Sequence, residues 1–208
     1  MKFVLFVEGH TEQKAVPGFL KRWLDPQLTQ RVGILPIRFE GCNEFIKKIG
    51  SRAQMHLDGP DGTDINAAIG LLDLYGATFL PHHLSSSQER HDWAVKQIEK
   101  DVNRPRFRMF FAVHELEAWI LTEPQLLPSA VRNTLPSKAA QPEPVNFSGP
   151  PAKLLNRLYN SATGKNYKKL VYGKDLFERL NPTVACEKCP HLKSMLDEML
   201  KLAKESGN

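Results

Sequence analysis

Glu8 and Glu12 stand four residues apart in "VEGHTE", and Asp73, Glu115 and Glu117 each close or follow another apolar run. Carboxylates that converge repel one another, so they either raise a pKa or share a cation. A donor set of Asp and Glu oxygens suits Mg²⁺ or Mn²⁺ rather than zinc. Such an ion would neutralise the acids, orient a phosphate and activate a water for in-line attack, so phosphodiester hydrolysis is the natural reaction class. A single acid at a strand end is ordinarily a solvated loop residue. Four such positions at three strand ends are harder to dismiss, although Glu117 also suits a helix N-terminus, where an acid complements the dipole.

Other side chains carry weaker signals. Gly9 lacks a β-carbon, which allows a sharp exit from the strand and a close approach by a ligand. His10, inside the same turn, is placed to touch a phosphate or move a proton, and equally to be a plain turn residue. Lys165, Lys168, Lys169 and Lys174 with interleaved tyrosines make "GKNYKKLVYGK" a stretch that fits a phosphate backbone and base stacking, against the default of a solvated face. Cys186 and Cys189 form a lone "CEKC" with His191 as the sole nearby third ligand, so packing beside the last helix is the better reading. His82 and His83 read as exposed loop residues. Asp58, Asp61 and Asp64 read as a turn, and Trp119 as core.

The elements that must position the acids follow from periodicity. Val4 to Val7 form a continuous apolar run, as in a central strand covered on both faces. Thr11 is the expected cap of a helix carrying Val16, Leu20, Trp23 and Leu24. Pro17 means either a kink or a helix that properly starts there. "GILPIRF" reads as a strand near an edge because of Pro36, followed by a helix from Asn43 to about Leu57 and a third strand in "AIGLLDLYG". Ser86 and Glu89 make a capping box ahead of Trp93, Ala94, Ile98 and Val102. "RFRMFFAV" is a fourth strand, with a helix beginning near His114. This alternation predicts an α/β three-layer domain with a mostly parallel sheet and right-handed crossovers, its functional groups at the carboxyl ends of the strands.

That order accounts for residues 1–122. From 123 to 151 the composition shifts, with 7 of the 15 prolines, predicting a connecting loop that includes "QPEPVNFSGPP". Residues 152–208 predict a C-terminal helical extension packed on the same domain, with helices around Leu154 to Tyr159 and from about His191 to Lys204. Three cysteines and no leader-like start point to a reducing compartment, the cytoplasm. No apolar run approaches the roughly 20 residues of a membrane span. A net charge of +5 fits a polyanionic partner without requiring one.

"LFVEGHTE", "LLDLYG" and "HELEAW", taken in order, resemble the Toprim-like proteins, the relatives of topoisomerases, primases and the overcoming-lysogenization-defect nucleases. The resemblance is closer to small prokaryotic Toprim-like proteins catalogued as a domain of unknown function and often encoded beside an ABC-type ATPase. It extends through "PPAK" at Lys153, "NYKKLVYG" at Lys168 and "CPHLKSML". It implies a Toprim-like Rossmannoid fold, with Mg²⁺ (or Mn²⁺) held by Glu8 and Asp73 and with Glu12 as the acid one turn later. Gly9, Lys153, Lys168 and Lys169 become candidate phosphate contacts, Lys168 foremost. Tyr75 stands where the second Asp of the Asp-x-Asp motif belongs, so Glu115 or Glu117 must substitute if two metals bind. The activity implied is that of a metal-dependent nuclease or phosphodiester hydrolase acting with an ATPase partner against phage. The alternatives are a non-catalytic subunit that binds the ATPase or nucleic acid, and a small-molecule phosphohydrolase. Neither DNA versus RNA nor oligomeric state is encoded in these motifs.

Overall fold

The computed structural model describes residues 1–143 and 149–205; part of the expected proline-rich loop, residues 144–148, lies outside the described residues. The chain runs β1 (Lys2–Val7), α1 (His10–Leu24), β2 (Gly33–Arg38), α2 (Cys42–Leu57), β3 (Ile65–Asp73), α3 (Ser87–Val102) and β4 (Phe107–Ala112). The four strands form one all-parallel sheet in the order β2-β1-β3-β4. β1 and β3 are central, which is why both read as unbroken apolar runs.

The two faces of the sheet bury alternate residues of each strand, as the two-residue period of a strand requires. Phe3, Leu5, Val7, Ala67, Ile69 and Leu71 face one core, and Val4, Phe6, Ala68, Leu72, Met109 and Phe111 face the other. The second core is closed by α2 and α3 through Phe45, Ile49, Ala94 and Ile98. β2 is an edge strand, where Pro36 removes no ladder donor that the sheet needs. α3 begins with the expected capping box, in which Ser86 and Glu89 satisfy each other's backbone.

Three local readings change. The cap of α1 is Gly9, with no side-chain cap bond, and Thr11 lies buried within the helix. Pro17 sits inside a helix continuous from His10 to Leu24, so the helix neither starts nor ends at it. No helix starts at His114: that residue holds a left-handed φ of 70°, and the short α4 (Glu117–Ile120) follows a turn.

Past α4 the chain makes α5 (Ser129–Arg132), α6 (Pro151–Thr163), a π-helical turn at Lys169–Gly173, α7 (Lys174–Arg179), α8 (Pro182–Lys188) and α9 (Pro190–Glu205). The basic stretch therefore contains a π turn and the start of a helix that periodicity did not announce. Leu154, Leu155 and Leu158 of α6, Phe177 of α7 and Met195 and Met199 of α9 join the same core as α1. That core also holds Trp119, which stacks on Phe19 at 5.8 Å, and both Cys186 and Cys189. The C-terminal helices thus complete the layer that α1 begins. Among the described residues no helix is long and apolar enough to cross a membrane.

Candidate active site at the carboxyl edge of the sheet

β1 ends at Val7, paired with Leu71, and β3 runs on to Asp73, paired with Ala112 at the end of β4. Glu8, Asp73 and the turn from His114 to Glu117 therefore leave the sheet along one edge. Two backbone bonds extend the β3–β4 ladder beyond the strands, from Leu74 N to Ala112 O and from Tyr75 N to His114 O. The left-handed residue at His114 then swings the chain back across the edge. Leu116 N donates to Asp73 Oδ1 at 3.0 Å, locking the carboxylate of β3 to the turn that carries the other two acids.

Glu115 accepts from Ala152 N at 2.8 Å in the first turn of α6, where a helix favours a negative charge. Glu117 is 2% exposed, and the Tyr167 hydroxyl donates to it at 3.5 Å. Tyr167 is itself buried, so it supports the acid and is closed to base stacking. Glu12 returns from α1 as its spacing implied. It is buried, and its Oε2 lies 2.3 Å from where a β-carbon on Gly9 would stand. The backbone of Gly9 is extended, at φ −137° and ψ 170°, a conformation open to any residue. Glycine is required here for the space that the Glu12 carboxylate fills, not for its torsion angles.

One cation lies among these acids. Lys169 Nζ is 3.0 Å from Glu117 Oε2, 3.8 Å from Glu115 Oε1 and 3.9 Å from Asp73 Oδ2. Burial acts to deprotonate this amine, but the surrounding carboxylates, Glu117 foremost among them, outweigh it and hold the ammonium firmly protonated. On the acids the balance is reversed. Burial pushes Glu8 up to about 7, reinforced by Glu12 and opposed by Lys169. Asp73 is raised well above the ordinary carboxylate range and Glu117 is raised too, both chiefly by burial. Glu117 Oε2, although close to the ammonium, accepts no well-directed hydrogen bond.

The oxygen-only donor set fits a hard divalent cation. Among the described residues, no three acidic, histidine or cysteine side chains form a finished cation cage; their common neighbour is the Lys169 ammonium.

The other sequence candidates fall away from this centre. Lys168 and Lys153 are exposed, as is His10 at the start of α1; it is Lys169, next in sequence to Lys168, that meets the acids. Tyr75 is 49% exposed. His82 and His83 are exposed loop residues, and Asp58 pairs with Arg104 at 2.9 Å. A buried acid that sequence reasoning missed is Glu143, which accepts from His191 N and Leu192 N at the start of α9. Its place in a proline-rich stretch gave no periodic signal.

Among solved structures the chain is similar to the C-terminal region of the Burkholderia pseudomallei OLD protein, with 16% identity, 97% of this chain and 98% of the other covered, and a TM-score of 0.48. It is also similar to the C-terminal region of the Xanthomonas campestris pv. campestris OLD protein, with 19% identity, 99% and 98% covered, and a TM-score of 0.46. No curated protein matches. The model of the domain of unknown function DUF4276 matches residues 7–200, and the chain belongs to that family.

Proposed function

We propose that this protein is a Toprim-like, Mg²⁺-dependent (or Mn²⁺-dependent) nuclease or related phosphodiester hydrolase. One observation carries the reading: among the described residues, Asp73 at the end of β3 and Glu115 and Glu117 after β4 lie within 4 Å of the Lys169 ammonium, with Glu8 from the end of β1 close enough to feel its charge. A structural ion pair needs one acid per lysine, and this site brings several, with Glu8, Asp73 and Glu117 raised by burial and by neighbouring acids.

Glu8, Asp73, Glu115 and Glu117 would hold the metal. When bound, the ion supplies charge neutralisation, phosphate orientation and a more acidic water. The chain's own residues supply the rest. Lys169 offsets charge that develops on the phosphoryl oxygens, a role the sequence motif suggested for Lys168. Glu12, packed over Gly9 beside Glu8, receives the proton that the attacking water gives up as the phosphorus–oxygen bond to the leaving group breaks. The resemblance to Toprim-like proteins encoded beside ABC-type ATPases supports a setting in anti-phage defence, with nucleic acid as substrate and such an ATPase as partner.

The test is degradation of plasmid and single-stranded DNA in Mg²⁺ and in Mn²⁺, with and without the neighbouring ATPase. Glu8→Gln removes one ligand charge and should lower the rate on the order of 10²-fold or more. Equal inertness of wild type and variant under all conditions would defeat the enzyme reading. The rival, a non-catalytic subunit binding the ATPase or nucleic acid, is favoured by one feature, the ammonium already seated among the acids. It predicts binding without any metal-dependent cleavage.

A further inference from the structure

Tyr75 occupies the position at which the Toprim pattern has its second acid, yet its ring lies outside the carboxylate cluster. Its backbone is pinned to His114 O at 2.8 Å and its side chain is 49% exposed. A large aromatic in that state, two residues beyond a buried strand end, has no packing role that its exposure would serve.

The ring lines a cavity of about 420 Å³. The cavity opens at the same end of the sheet as the carboxylates: its lining includes Leu74, which follows Asp73, and His114, which precedes Glu115. Its lining also includes Ser85 and Ser86, just ahead of α3, and Ser87 and Arg90 in the first turn of that helix. No carboxylate lines it. Glu89, the nearest acid in sequence, is committed to the capping box, accepting from the backbone and hydroxyls of Ser85 and Ser86. Arg90 donates through Nε to Leu84 O at 3.1 Å, and its terminal guanidinium nitrogens make no hydrogen bond among the described residues.

An exposed aromatic face, a guanidinium with unused donors and a serine-lined wall suit a flat ring joined to a phosphate. Ligand sites run from about 300 to 1,000 Å³, so this cavity admits one nucleotide and not a base pair. A base within a duplex has no free face to offer the ring, whereas an unpaired base does.

We infer that the Tyr75 cavity is a binding subsite for one unpaired nucleotide of a single strand, next to the phosphodiester held at the carboxylates. The base stacks on Tyr75 and Arg90 meets its phosphate. This rests on the nuclease reading for the position of the scissile bond, but the binding it describes is measurable without cleavage.

The experiment is fluorescence anisotropy with a fluorescein-labelled single-stranded oligonucleotide, DNA and RNA in separate arms and calcium in place of magnesium. The expected result is that Tyr75→Ala weakens single-strand binding roughly tenfold while Tyr75→Phe, which keeps the aromatic face, binds as wild type does. Arg90→Ala should weaken binding and reduce the salt slope by about one. A duplex of the same sequence should respond to neither Tyr75 variant. Equal binding by wild type and Tyr75→Ala, or a Tyr75→Phe variant as weak as Tyr75→Ala, overturns the proposal, as does failure of wild type to bind either strand. Binding that depends on Tyr75 in a protein that cuts nothing leaves the subsite standing and removes the nuclease. Cleavage that is indifferent to Tyr75 does the reverse.

Discussion

Glycine at position 9 separates chemistry from folding in a way a single substitution can expose. Its extended backbone would accept alanine, and losing a glycine restricts the unfolded chain, which on its own stabilises by about 0.4–1 kcal/mol. The new β-carbon, however, would occupy the place of Glu12 Oε2. Gly9→Ala is therefore expected to unfold at or above the wild-type temperature while losing most of the proposed metal-dependent cleavage, with calorimetry and a cleavage assay run on the same preparation. A parallel loss of stability and activity would show that glycine serves the fold alone. At this scale the sequence was readable where acids end apolar runs, as Glu8 and Asp73 do. It was not readable at Lys168 and Lys169, because adjacent lysines in an aperiodic stretch differ only in the direction that a π turn gives them. Glu117 was ambiguous for a similar reason: the left-handed His114 that redirects the turn leaves no mark in composition.

Among the elements, the strands and the three long crossover helices were legible because each carries a period of two faces or of one apolar stripe. The short helices after β4 were not, since four to seven residues hold too little periodicity. Glu143 is the clearest case, an acid from an aperiodic stretch that serves a 16-residue helix. Two backbone N–H groups at the start of α9 favour its charge, but burial outweighs them and pushes it from 4.5 up to about 7. The sign follows directly. The folded protein binds this proton more tightly than the unfolded chain, so Glu143 lowers stability as pH rises from about 4.5 through about 7, with its full effect above that window. The size is roughly 1–3 kcal/mol. Glu143→Gln should flatten that part of the stability curve, measured by urea denaturation across the window. An unchanged slope would mean that the helix N-terminus keeps the carboxylate ionised.

For the molecule as a whole, the three-layer arrangement follows from hydrophobic burial on both faces of a parallel sheet, and this much was open to a reader of the sequence. The folding of the C-terminal helices into α1's own core was expected in outline. The delivery of Lys169 to acids more than 50 residues earlier was not, because no local pattern encodes a long-range ion pair. The acids stand on the two central strands and on a turn locked to one of them. The cation stands on a π turn whose next two residues, Leu170 and Val171, are 57% and 58% exposed. Segments of that kind open at far lower free energy than a sheet core. Chymotrypsin under native conditions is therefore expected to cut first at Leu170 or Tyr172, leaving far-ultraviolet circular dichroism nearly intact while activity disappears. A chain cut only when it unfolds globally would speak against it. The site then has a weak side and a strong side: ageing, heat or a protease would silence it by detaching its counter-ion long before the acids lose their places.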